Sequence, residues 1–415
     1  MRHTTNSNSR WYGGAAALCI VTLIASACTP LRLREPVRLD EAAWTTDLGA
    51  TSRSRAVDAP AVFPLRQAWR YNASAGFGPG SALAADGLVI VSTRKGDVHA
   101  IEAETGRRKG IRKVVEVAEG APVLTSNYLY VPSAWGGHVV NAYDLVRGRS
   151  QWKIKGAPVK ASLLLEDGRL VIADVEGVVR AVNQETGEEF WRWEPEAPVT
   201  VAAAPVLISE RTVAVAFTSG EVRTFDLYDG SMGWAQTLSA PVYNTAALLG
   251  ESLLVPTTRG TLVELDIKTG AKGWTHDFGD PLTRVASPAA NEAGVLVGGT
   301  DGTLRRLDPA TGTELWRFET EGNISSAPLV VGNVLFVGTM SRMLFALDLA
   351  TGSELWAEKL KGRVKSAPTV YKDRLIVLSE PQYVYAFDLT PEDVLATEDE
   401  PAPENDLTVE GTDAQ

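Results

Sequence analysis

Cysteine is almost missing from this chain. Its two cysteines, Cys19 and Cys28, both fall within the first thirty of 415 residues. The body can hold no disulfide and no cysteine-ligated metal, so its stability must come from apolar burial. Histidine is nearly as scarce. His3, His99, His138 and His276 are scattered along the chain without the close pairing of a zinc site. No G-x-S-x-G, Walker or H-E-x-x-H pattern occurs. The glycine-rich "GFGPGS", Gly76 to Ser81, opens a strand rather than a helix, which argues against a phosphate site at a helix N-terminus. A positive excess is lacking too. The net charge is −11, and the nine acids from Glu392 onward, where there is no Lys or Arg, account for all but −2 of it. The near-neutral body argues against a nucleic-acid partner. The tail over 391–415 has no aromatic residue and much Pro and acid, the composition of a disordered segment that solubilises or meets a partner.

The N-terminus reads as an address. Arg2 and Arg10 precede "WYGGAAALCIVTLIASA", a run of apolar and small residues that ends at Cys28. The run is shorter than the roughly 20 residues of a bilayer span and has the parts of a secretory signal. Ordinary secretion and an uncleaved anchor remain as alternatives. A Cys directly after "IASA" resembles the bacterial lipobox, with Ala25 in the place where Leu is usual. That resemblance implies a signal peptide over 1–27 and a lipidated Cys28. Thr29 after the Cys implies sorting to the outer membrane, on its periplasmic face. Residues 28–63 lack sustained periodicity and are expected to form a flexible tether.

What the chain has in abundance is one phrase. "DPATGTELW", from Asp308, recurs as "DLATGSELW" from Asp348. Related stretches place a polar residue before a turn at Glu102, Asp144, Asn183, Asp226, Asp266, Asp308, Asp348 and Asp388, at intervals of 39 to 43 residues. Upstream of each lie three more strand-like runs joined by turn chemistry, as in "SSAPLVVGNVLFVGTMSRMLFALDLATGSELW". Four short strands per repeat cannot bury both sheet faces alone and must stack on neighbours, as in an all-β propeller. The eighth copy stops at Pro391 without a Trp. "LRQAWRY", Leu65 to Tyr71, supplies Trp69 at the other end of the chain. The expected fold is therefore an eight-bladed β-propeller over 64–390 with four antiparallel strands per blade, its last blade closed by an N-terminal strand. Seven blades with a loose last copy is the alternative. The first copy departs from the rule, with Gly110 in the place of Trp.

The repeat A-x-D-x-x-T-G-x-x-x-W, with "SAP" on the first strand, resembles the pyrroloquinoline-quinone (PQQ) type propeller repeat. One class with this repeat is the quinoprotein dehydrogenases. The resemblance implies for them a vicinal cysteine pair, calcium ligands and a catalytic Asp in the channel. This chain has no Cys after Cys28, and its acids sit mainly at the repeated pre-turn position, spread around the ring. The other class is the BamB-like lipoproteins of the outer-membrane β-barrel assembly machinery. Lipobox, short tether, eight blades and few insertions match it, while the acidic tail is a departure. This likeness implies a non-enzymatic scaffold that binds the periplasmic domains of the barrel-insertion protein and aids precursor delivery. It implies no catalytic residue, cofactor, metal or small-molecule substrate. A propeller lipoprotein serving another envelope partner is the alternative.

Two departures from the repeat are candidate partner contacts. "SAWGGH" puts Trp135 in a turn where other copies carry Lys95-Gly96 or Asp301-Gly302. It reads as a binding anchor or as local packing. "DPLTRVASP" puts Leu282 and Arg284 before the innermost strand of blade six. The BamB-like resemblance implies contact with the barrel-insertion protein through a Leu-x-Leu-Arg stretch there, with Thr283 in place of the second Leu. A solvated Arg at the channel mouth is the plainer alternative, since Lys160 and Lys365 stand at comparable places.

Overall fold

The computed structural model describes residues 30–47, 49 and 56–390. The signal segment, Cys28 and the tail over 391–415 lie outside them. Every regular element among the described residues is a β-strand. The strands form eight sheets. Blades 1 to 7 cover 83–113, 123–154, 164–193, 206–237, 247–277, 289–319 and 329–359, each a run of four consecutive antiparallel strands. Blade 8 has its three inner strands in 369–388, and its outer strand is Arg66–Asn72. That strand pairs antiparallel with Tyr383–Asp388, from Arg66 opposite Asp388 to Asn72 opposite Tyr383. The ring is thus closed from both ends of the chain, and the eight-bladed reading holds.

The repeated phrase joins each blade to the next. Asp348 Oδ1 accepts the Thr351 N–H and hydroxyl, both at 2.7 Å, and so shapes the turn. Gly352 follows at φ 73°, a conformation Gly adopts without strain. Against it lies the indole of Trp316 from blade 6, whose N–H donates to the Leu349 carbonyl at 3.2 Å. The same bond links Trp69 to Ala103, Trp152 to Gln184, Trp191 to Leu227, Trp234 to Ile267 and Trp274 to Pro309. Each Trp therefore fastens its blade onto the turn of the following one. At the last junction Trp356 meets Phe387 edge-on instead. Near the axis, Ser and Thr hydroxyls of the inner-strand entries bridge neighbours. Ser162 Oγ accepts the Ala121 N–H, Thr245 Oγ1 that of Ala204, and Ser287 Oγ that of Thr245.

Gly110 has a structural reason. The Leu31 N–H donates to the Ile111 carbonyl at 3.1 Å, and a Cβ on Gly110 would lie 2.8 Å from the Leu31 Cα. Leu31 is 1% exposed and packs with Val98, Ala100 and Tyr143, whose hydroxyl donates to the Leu31 carbonyl at 2.6 Å. The Leu33 N–H reaches the Leu145 carbonyl at 2.8 Å. Leu145 follows the pre-turn Asp144, so this is the carbonyl that a Trp at 110 would take. The segment over 30–33 fills the place of the missing indole.

The same segment continues inward, which corrects the expectation of a free tether. Val37 bonds Ser126, Trp44 pairs with Ala84 in both directions, and the Thr45 carbonyl accepts the Leu124 N–H. Asp47 ends this stretch at the axis. Its Oδ1 accepts the Ser81 N–H and hydroxyl, and its Oδ2 the Ser162 hydroxyl, all at 2.9 Å. Beyond the gap, Ala56–Val57 adds a parallel edge to the innermost strand of blade 7. The apolar residues read as lacking periodicity are spaced to meet successive blades, not one face of a regular element.

Candidate functional site

Antiparallel blades put two kinds of connection at one end of the ring: the turns between second and third strands, and the loops that enter each inner strand. The candidate residues all lie there, yet they fall in two places. Leu282 and Arg284 belong to the loop entering blade 6. Trp135 belongs to a turn of blade 2, on the far side of the axis.

The loop over 280–285 is tightly fixed. Asp280 Oδ1 accepts the Leu282 N–H at 2.9 Å, and the Thr283 N–H returns to the Asp280 carbonyl. The Arg284 N–H donates to Thr300 Oγ1 at 2.9 Å, and the Asn244 amide holds the Val285 carbonyl at 2.7 Å. Thr283 is buried at 1% exposure, with its methyl toward Gly299. Its neighbours in sequence therefore point the other way. Leu282 is 83% exposed, and Arg284 is exposed beside it.

Leu282 and Arg284 line a groove of about 690 Å³ between blades 5 and 6, together with Pro241, Tyr243, Arg259 and Pro281. Tyr243 is 53% exposed and stands in the entry loop of blade 5. Tyr and Arg are among the side chains that dominate binding energy at protein interfaces, whereas Leu is under-represented there and contributes apolar area. Tyr243 and Arg259 escaped the sequence reading. The signal was there in "APVYNTA", which aligns with "APVKAS" and sets Tyr243 where blade 3 has Lys160. Trp135 is 70% exposed, and its turn is held by the Ser133 hydroxyl on the Trp135 carbonyl at 2.7 Å. The structure brings Leu282 and Arg284 together and leaves Trp135 apart from them.

The mouth of the axis is lined by Lys160, Tyr243, Ser287, Lys365 and Asp47. Lys365 is held by Glu380 at 2.7 Å. Asp47 comes from the N-terminal segment and makes three hydrogen bonds to Ser81 and Ser162. Among the described residues no three of His, Cys, Asp and Glu gather into a metal-binding group. His99 and His276 are each half-buried or more, between strands of different blades, and burial holds both below the ordinary imidazole range. Cys28 lies outside the described residues.

Solved structures place this fold beside two kinds of protein. Quinohemoprotein alcohol dehydrogenase from Comamonas testosteroni aligns over 84% of this chain and 80% of its own, with TM-score 0.70 and 18% identity. BamB from Moraxella catarrhalis aligns over 78% of this chain and all of its own, with TM-score 0.62 and 18% identity. By sequence, an outer membrane protein assembly factor BamB from Burkholderia pseudomallei is 25% identical over 357 residues, 79% of this chain and 84% of that protein. A family model described as outer membrane protein assembly factor BamB matches in overlapping stretches over 55–175, 108–249, 175–303 and 300–414. Blade number, repeat phrase and family model agree, and the chain belongs to the BamB family of PQQ-type propellers.

Proposed function

We propose that this protein is a non-catalytic lipoprotein of outer-membrane β-barrel assembly. An acyl group on Cys28 holds it at the periplasmic face of the outer membrane. The groove of Leu282, Arg284 and Tyr243 binds the periplasmic domains of the barrel-insertion protein. The observation that carries this reading is the exposed Leu and Arg on a loop whose backbone is fixed by hydrogen bonds, since a preorganised backbone lowers the ordering cost of binding. The wall of the axis mouth supports the non-enzymatic side. Asp47 and its segment stand among the inner-strand entries, and their serine partners are satisfied by protein. Anchoring confines the ring near membrane partners and raises its effective concentration there. Precursor strands can pair with outer blade edges by β-augmentation.

Affinity purification from detergent-solubilised membranes tests the reading. Wild type should recover the barrel-insertion protein. Leu282→Asp with Arg284→Glu should lose it while remaining folded. Mass spectrometry of the N-terminal peptide should show acylated Cys28. Recovery of a different envelope protein, unaffected by the double change, would favour a scaffold for another partner. PQQ- and Ca²⁺-dependent dye reduction would establish an enzyme.

A further inference from the structure

The outer strands form the rim of the ring, so their side chains set its lateral charge. On blades 3, 5, 6 and 7 these strands are mixed, and the outer strand of blade 4, Met232–Thr237, carries no charge. The mixed strands carry Arg192, Lys272, Arg317 and Lys359 among Glu189, Asp277, Glu314, Glu319, Glu354 and Glu358. Three adjacent blades differ. Blade 1 presents Arg108, Lys109, Arg112 and Lys113, all exposed. Blade 2 presents Arg149 and Lys153, and blade 8 Arg66 and Arg70. None of these three strands holds an acid.

Some of this charge is met nearby. Lys109 pairs with Glu102 at 2.7 Å, Lys113 with Glu116 at 3.0 Å and Arg66 with Asp388 at 3.4 Å. Among the described residues no carboxylate pairs with Arg108, Arg112, Arg149 or Lys153. The N-terminal segment is itself balanced, with exposed Arg32, Arg34 and Arg38 against exposed Glu35, Asp40 and Glu41, so the excess lies on the strands. That segment also fixes where the chain arrives. Pro30, the first described residue, bridges Ile111 on the outer strand of blade 1 and so stands on this rim.

We propose that the rim of blades 8, 1 and 2 is a docking surface for an anionic lipid bilayer. The ring then stands edge-on to the membrane, and the groove of blades 5 and 6, half a turn away, faces outward from it. Charge complementarity and the place of Pro30, two residues after Cys28, on the same rim select this occupant. A lipid anchor and a basic surface on one rim would act on the same membrane together. The edge-on orientation rests on the acylated Cys28 of the preceding reading. The lipid affinity of the rim does not.

The chain from Thr29 to Gln415 keeps every described residue and carries no acyl group, so it isolates the rim. Co-sedimentation with phosphatidylglycerol vesicles and with pure phosphatidylcholine vesicles is the measurement. The expected result is binding about tenfold stronger to the anionic vesicles, lost at high salt because the attraction acts within roughly 10 Å at 0.1 M. Changing Arg108, Lys109, Arg112 and Lys113 to Glu should abolish the preference. Changing Arg192, Lys272, Arg317 and Lys359 to Glu should leave it, with thermal melts showing both variants folded. Equal binding to the two vesicles, or equal loss in both variants, overturns the proposal. So does a preference that emerges only after truncation at Thr390, which would make the acidic tail the occupant of the rim. Failure of acylation at Cys28 would leave the vesicle result untouched.

Discussion

Gly352 shows how one residue serves two demands. Its φ of 73° favours Gly, and a Cβ there would lie 2.7 Å from the Trp316 ring. Gly250 meets only the first demand, with φ 56° and nothing within 4 Å of a Cβ. Gly250→Ala should cost about 1 kcal/mol from backbone strain. Gly352→Ala adds overpacking and should cost about 3 kcal/mol. The denaturation midpoints of the two variants, at unchanged m-value, measure the difference. Equal losses would show that the indole yields. His99 makes a second prediction at this scale. It is 2% exposed and shares a 2.9 Å hydrogen bond with the Tyr71 hydroxyl. Burial, then the Arg108 charge, push its pKa down to about 4 from 6.5. Between those values the unfolded chain takes up a proton that the native ring refuses, so stability is lost as pH falls from 6.5 toward 4. The loss is on the order of 3 kcal/mol. His99→Gln should show a flatter stability profile across that window, and identical profiles would remove the assignment. The Asp, Gly and Trp of the turn were legible in the sequence because they recur in register. The role of His99 was not, because Tyr71 reaches it from the outer strand of the neighbouring blade 8, whose membership of that blade depends on pairing with Tyr383–Asp388.

At the scale of elements, the least legible feature is the N-terminal segment. One sign of it was visible: Gly110 in the place of a Trp. Nothing local pointed from it to residues 30–33, since docking across blades leaves no periodic trace. The segment behaves as a replacement part. Its Leu33 N–H takes the Leu145 carbonyl, and Leu31 fills the apolar space. Gly110→Trp should therefore restore the ordinary junction and expel the segment. The expected outcome is much faster tryptic cleavage after Arg32 and Arg34, with the midpoint of the ring little changed. Mass spectrometry of a limited digest reads it. Protection equal to wild type would mean that an indole does not fit. The candidate groove shows the same limit. Leu282 and Arg284 were legible as a departure from the repeat, whereas Tyr243 joins them only because blade 5 packs beside blade 6.

The whole molecule depends on a strand that is distant in sequence. Arg66–Asn72 pairs with Tyr383–Asp388 in the register of an ordinary third-to-fourth strand hairpin, bulge included. Trp69 then fastens blade 8 to Ala103 of blade 1 at 2.7 Å, and the Ser366 and Thr369 hydroxyls reach the Gly78 and Ala82 carbonyls at 2.9 and 3.0 Å. One apolar cluster runs through blades 7, 8 and 1 across this closure. Losing the Trp69 side chain alone should cost about 3–5 kcal/mol. Losing the strand also bares the edge of Tyr383–Asp388, which invites association. A chain of 73–390 should therefore unfold at a lower midpoint and aggregate. Joining 66–72 behind Thr390 through a Thr-Gly pair keeps the eight-residue step from Asp388 to Trp69 and rebuilds the hairpin that the other seven blades have by default. That permuted ring should recover a monomeric state and a single unfolding transition, although it lacks 30–65. Ultracentrifugation and denaturant melts compare the three chains. If 73–390 matched the full chain, closure would lie in the inner strands alone. If the permuted ring failed where the full chain succeeds, the N-terminal segment along blades 1, 2 and 7 would be what holds the circle shut.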